Sequence, residues 1–196
     1  MATPTEVLIQ VTEIFESLGI PYFVVGSFAS SARGIRRATI DADTVADIKP
    51  ESVSGLVNKL SENDFYIDDL AVRRAIEQER AFNAIHRESM FKIDVYIARD
   101  EFSQMENARK IPEKILLNSN AVVYIATAED IVAAKLSCYR KGREVSDQQW
   151  SDVLGILKLQ KDALDYEYIT SGQRDLELAT CWTRRCLRPD IVGLAT

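Results

Sequence analysis

The stretch from Tyr22 to Asp43 constrains this chain more than any other part of it. It opens with an apolar run, Tyr22-Phe23-Val24-Val25, and breaks at Gly26-Ser27. A stretch rich in small residues then leads to Gly34, and the chain resumes as Thr39-Ile40-Asp41-Ala42-Asp43. This pattern predicts a short buried strand, a tight turn, a short helix from Ser27 to Arg33, and a second strand from Thr39 to Ile48. Side chains at i and i+2 of a strand share a face, so Asp41 and Asp43 present two carboxylates side by side. Such a pair repels itself unless cations neutralise it, and hard divalent cations prefer oxygen ligands. A small-residue turn before a helix can hold a phosphate on backbone N–H groups. A third acid, Asp94, lies in another strand-like run, Phe91 to Ile97. Phosphate cradle, carboxylate pair and third acid together form a kit for metal-assisted nucleotidyl transfer.

Around this segment the sequence alternates between helix and strand. Thr3 and Pro4 make a helix start, with Val7, Val11, Ile14, Phe15 and Leu18 on one face and Gly19 as the stop. Pro50 opens a helix that turns Val53, Leu56, Val57 and Leu60 inward. Phe65 to Glu79 fits a strand and then a short helix. Phe82–His86 and Phe91–Ile97 form a hairpin across the polar residues Arg87 to Ser89. Ala121 to Ala126 is a further strand. Thr127 caps a helix that carries Ile131, Ala134, Lys135 and Cys138 on its inner face, with Asp130 in the reciprocal position. After a charged loop from Arg140 to Ser146, Asp147–Leu159 and the stretch to Leu187 are helical. The expected fold is α/β (α+β): a mixed sheet flanked by helices over residues 1–126, then a helical C-terminal segment, 127–196, packed on it.

The totals narrow the function. The 196 residues are 46% hydrophobic, enough for a real core, and 24 basic against 30 acidic residues leave a net charge of −6. That balance argues against an extensive nucleic-acid or anionic-membrane surface. The three cysteines, Cys138, Cys181 and Cys186, form no CxxC pair and suit reduced thiols. Neither a signal-peptide pattern nor a membrane-length apolar run is present, so a cytoplasmic location is expected. His86 is the only histidine, which excludes a two-histidine zinc site within one chain.

Rival motifs fail on particular residues. An EF-hand starting at Asp41 would need an acid, a glycine and a glutamate where Val45, Ala46 and Ser52 stand. A P-loop fails at Ser31, and a dinucleotide loop fails at Phe28. Arg36 and Arg37 lie between cradle and acid pair, where their planar forks suit phosphates or simply carry surface charge. Lys135 on an apolar helix face either snorkels to solvent or meets a triphosphate. Arg143 and Asp152 read as a structural ion pair or surface charges. Asp47 reads as solvent-facing or structural, His86 as a sheet histidine, Trp150 and Trp182 as core anchors, and Cys181 and Cys186 as packing thiols.

Taken together, Val25-Gly26-Ser27, Arg36 and Arg37 followed by Thr39, Asp41-x-Asp43, Asp94 among apolar neighbours, Ala128-Glu129-Asp130 with Lys135, then Arg143 and Asp152 resemble the DNA polymerase β-like nucleotidyltransferase superfamily. The likeness is greatest to AbiEii-type bacterial nucleotidyltransferases and spans roughly residues 20–158. The resemblance implies that Gly26 and Ser27 hold the triphosphate and that Asp41 and Asp43 bind two Mg2+ ions. It implies that Asp94 binds one of them and helps deprotonate the acceptor. NTP would be the substrate. The acceptor would be a small molecule, a protein side chain or an RNA end, and a toxin–antitoxin setting with a protein partner is a further implication. The alternative is a nucleotide-binding or protein-interaction module of the same fold without turnover.

Overall fold

The computed structural model describes residues 2–35, 38–98, 101–116 and 120–171. Helix α1 (Pro4–Ser17) starts at Thr3, whose hydroxyl accepts the Glu6 N–H at 3.3 Å while the Glu6 carboxylate accepts the Thr3 N–H at 2.7 Å. This reciprocal cap satisfies two amide groups that the first turn would otherwise leave unpaired. Val7, Leu8, Val11 and Phe15 on its inner face are wholly buried.

Seven strands form one mixed sheet. They are β1 (Tyr22–Val25), β2 (Asp41–Ala46), β3 (Phe65–Tyr66), β4 (Ala81–His86), β5 (Lys92–Ile97), β6 (Ile111–Glu113) and β7 (Val123–Ile125). Their order across the sheet is β3-β4-β5-β2-β1-β7-β6. β2 runs parallel to β5 and β1 parallel to β7; the other neighbours are antiparallel.

Burial alternation fixes the register at the centre. Ala42, Thr44 and Ala46 of β2 and Ile93, Val95 and Ile97 of β5 are buried on one face. Asp41, Asp43, Lys92 and Asp94 lie on the other. A one-residue slip would exchange the two sets. It would bring charges into a core where each large apolar side chain contributes roughly 1.5–3 kcal/mol by burial, so the observed register wins decisively.

Helices α3 (Val53–Glu62) and α4 (Asp69–Gln78) help build that core. α3 packs on α1, α4 and β3, and α4 packs on β4 and β5. Their buried residues are Val53, Leu56 and Leu60, then Val72, Ala75 and Ile76. Pro50–Ser52 forms a 3-10 turn ahead of α3 rather than its first turn. His86 is buried, with Nδ1 2.8 Å from the Ser89 hydroxyl and its ring against Phe65. It is a structural residue of the β4–β5 hairpin.

The sequence pattern assigns nothing between 98 and 120, yet α5 (Glu101–Arg109) and β6 lie there. Glu101-Phe-Ser-Gln-Met-Glu-Asn-Ala-Arg109 has no apolar stripe to mark a helix. β6 is three residues long and holds Pro112, which an edge strand tolerates.

The chain divides into two compact units: Met1–Phe28 with Ala38–Ala126, and Ala29–Arg37 with Thr127–Thr196. Helix α2 (Gly26–Arg33) therefore begins in the first and ends in the second. The second unit contains α6 (Ala128–Lys141), α7 (Asp147–Gln160) and α8 (Tyr166–Ser171). Thr127 and Ser146 cap α6 and α7. The buried face of α6 is Ile131, Val132, Lys135, Leu136 and Tyr139, whereas Ala134 and Cys138, expected inside, are exposed. Bulk decides this: the larger side chains gain more by burial than alanine or cysteine does. Trp150 is half-buried against Tyr139, with ring centroids 5.6 Å apart. Trp182, Cys181, Cys186 and the part of the expected helical stretch beyond Ser171 lie outside the described residues. Among the described residues, no helix is long and apolar enough to cross a membrane.

Candidate active site

The site grows from the end of β1. Gly26 follows Val25 with φ +65°, a left-handed backbone conformation that costs other residues about 1–2 kcal/mol. That turn starts α2, so Gly26 and Ser27 occupy the first turn of a helix, where the dipole favours an anion. β2 pairs antiparallel with β1 and sets Asp43 opposite Val25. The Asp43 carboxylate then lies directly against Gly26: a Cβ there would stand 1.9 Å from Asp43 Oδ2. Glycine is needed here for both conformation and space.

β5 completes the row. Its parallel register sets Asp94 opposite Asp43 and Lys92 opposite Asp41, and β4 places Asn83 on the other side of Asp94. Val25, Asp43, Asp94 and Asn83 thus form one line across four strands. Thr39 donates its hydroxyl to the Asp41 carbonyl at 2.9 Å, fixing the entry to β2.

Lys92 stands among these acids. Its Nζ lies 2.6 Å from Asp94 Oδ2 and 4.0 Å from Asp41 Oδ2. The hydrogen bond to Asp94 raises the Lys92 pKa, against desolvation, and the charges of Asp94, Asp41 and Asp43 add to it. The signal was available: in Lys92-Ile93-Asp94 the lysine has the same parity as the acid. Among the described residues, no three carboxylate, imidazole or thiol side chains are gathered as a ready metal site. The three expected acids share a face, and an ammonium group engages two of them.

The donor set still suits a hard divalent cation. Asp41, Asp43 and Asp94 offer only oxygen ligands, and bare Gly26 leaves the room that the Asp43 carboxylate fills.

Arg36 and Arg37 lie outside the described residues. Lys135 belongs to the second unit, where its Nζ is 2.8 Å from Asp152 Oδ2 and both side chains are more than nine-tenths buried. Asp152 pairs with Lys135, and Arg143 is exposed at φ +58°. Asp47 pairs with Lys49 at 2.8 Å.

No protein-family model matches the sequence. No curated protein matches it significantly. Solved structures do match in three dimensions. One is the crystal structure of an antigenic nucleotidyltransferase-like protein from Paracoccidioides brasiliensis, with TM-score 0.63 and 17% identity over 97% of this chain and 91% of that one. The fold is nucleotidyltransferase-like. ANT(2")-Ia in complex with adenylyl-2"-tobramycin matches with TM-score 0.58 and 12% identity, over 94% of this chain and 99% of that one. A solution structure of the antibiotic-resistance factor ANT(2'')-Ia matches with TM-score 0.55 and 13% identity, over 98% of each chain.

Proposed function

We propose that this protein is a metal-dependent nucleotidyltransferase that moves a nucleoside monophosphate from an NTP to an acceptor hydroxyl. The observation that carries this reading is the register setting Asp43 opposite Asp94, with Asp41 on the same face and Gly26 bare beside Asp43. Asp41, Asp43 and Asp94 would hold two Mg2+ ions, which supply charge stabilisation at phosphoryl oxygens. The chain's own groups do the rest. The first turn of α2, at Gly26 and Ser27, receives the phosphates on backbone N–H groups. Asp94 takes the acceptor's hydroxyl proton as the acceptor oxygen bonds to the α-phosphorus. The bond from that phosphorus to the bridging oxygen breaks, and pyrophosphate leaves. Arg36 and Arg37 are proposed as further phosphate contacts. Lys135, held by buried Asp152, is assigned to the stability of its own unit.

A small hydroxylated molecule is the favoured acceptor. The negative net charge disfavours a long nucleic acid, and a protein of similar fold has been crystallised in complex with adenylyl-2"-tobramycin. The AbiEii-type likeness rests on the sequence motifs; it keeps a protein acceptor and a toxin–antitoxin setting open to the same test. That test is incubation with each α-labelled NTP, Mg2+ and a cell lysate, followed by identification of what becomes labelled. Labelling that needs Asp43 is expected. NTP binding without labelled product would contradict transfer.

One observation favours a second reading, a nucleotide-binding module without turnover. The Lys92 ammonium group already engages Asp94. Labelled product in the test above supports transfer; NTP binding without it supports the second reading.

A further inference from the structure

We propose that Lys92 is a tethered counter-cation that competes with divalent cations for Asp94 and Asp41, so that bare metal ions bind weakly until it is displaced. The inference rests on the carboxylate site proposed above. Lys92 Nζ is 2.6 Å from Asp94 and 4.0 Å from Asp41, acids on neighbouring strands. One ammonium group therefore neutralises part of the charge that would otherwise attract a metal ion. A structural ion pair would be the ordinary role for such a lysine. Two features argue for more. The pair lies on the sheet face that carries the acids, opposite the packed core face. The Lys92 side chain is also 37% exposed, so its flexible four-carbon stem can swing into solvent and release both carboxylates. Divalent ions arriving with a nucleotide bring four phosphate-borne negative charges that offer the displaced ammonium group a new partner; a bare ion does not. Lys92 thus makes metal entry depend on nucleotide.

The experiment is a titration of Mn2+ alone, followed by the loss of its free-ion paramagnetic resonance signal, into wild type, Lys92→Met and Lys92→Arg. Lys92→Met should bind Mn2+ about tenfold more tightly than wild type, the effect of removing one partly screened charge. Lys92→Arg should resemble wild type. The tighter site must vanish in Lys92→Met/Asp43→Asn. If it persists, the ion binds elsewhere and the proposal fails. Equal or weaker Mn2+ binding by Lys92→Met overturns the role of Lys92 and leaves the carboxylate site standing. If neither wild type nor Lys92→Met binds Mn2+, the carboxylate site itself is wrong and both proposals fall. Circular dichroism checks the fold of each variant, and Lys92→Gln carries the same test if Lys92→Met fails to fold.

Discussion

At Gly26 the lack of a side chain decides where a carboxylate can lie. Gly26→Ala would force a methyl group to within 1.9 Å of Asp43 Oδ2 on a backbone at φ +65°. The backbone strain alone should cost about 1–2 kcal/mol, read from urea unfolding. The displaced Asp43 should also weaken magnesium-dependent NTP binding. An alanine variant that binds NTP as wild type does would show that Asp43's place against Gly26 has no role. Asp94 invites the opposite experiment. Asp94→Asn keeps the size of the side chain but removes its ability to accept a proton. It should retain much NTP binding and lose transfer by about a hundredfold or more, the usual contribution of a positioned base. Equal losses of binding and transfer would make Asp94 a ligand only.

Among the elements, strands β2 and β5 were legible from sequence because alternation of charge and bulk states their parity outright. The parallel sense of their pairing was not, since three acids that converge require the strands to be neighbours but do not set their relative direction. α5 and β6 were illegible because neither carries an apolar period. Helix α6 was half legible. Lys135 was expected on the inner face and is there, but its partner on α7 could not be read, because residues 135 and 152 meet only through packing of the two helices. This pair makes its own prediction. Lys135→Met should destabilise the protein by about 3–5 kcal/mol, because it removes the ammonium group paired with the buried Asp152 carboxylate. Lys135→Met/Asp152→Leu should recover most of that loss. Urea unfolding of wild type, single and double variants checks both; a harmless single variant would mean that Asp152 is satisfied without Lys135.

In the first unit the packed core lies on the face of the sheet opposite the acids, and Tyr22 offers a probe of that core. Burial, then the hydrogen bond to Glu16 at 2.9 Å, pushes the Tyr22 phenol well above its ordinary value near 10. The folded state therefore keeps the proton longer than the unfolded chain does. That contribution is complete below the unfolded pKa and is lost as pH rises through the folded one. Burial pushes the neighbouring Lys110 amine down, which works in the opposite direction over alkaline pH. The difference between wild type and Tyr22→Phe isolates the tyrosine: above about pH 10 wild type should lose stability more steeply than the variant. Parallel pH profiles would deny the shift. The core and the acid-bearing face were both visible in the sequence as one alternating pattern. The ammonium group among the acids has the same parity, but it has no lone pair to offer a metal ion and so leaves no ligand pattern in the sequence. Asp41, Asp43 and Asp94 are proposed to form a metal-dependent nucleotide site. Calorimetric titration of NTP into wild type and Asp43→Asn, with and without Mg2+, tests it most directly. The account predicts that Mg2+ tightens NTP binding to wild type about tenfold or more, as expected when a buried or half-buried charge pair is neutralised, and has little effect on Asp43→Asn; an identical Mg2+ response in the two proteins would contradict it.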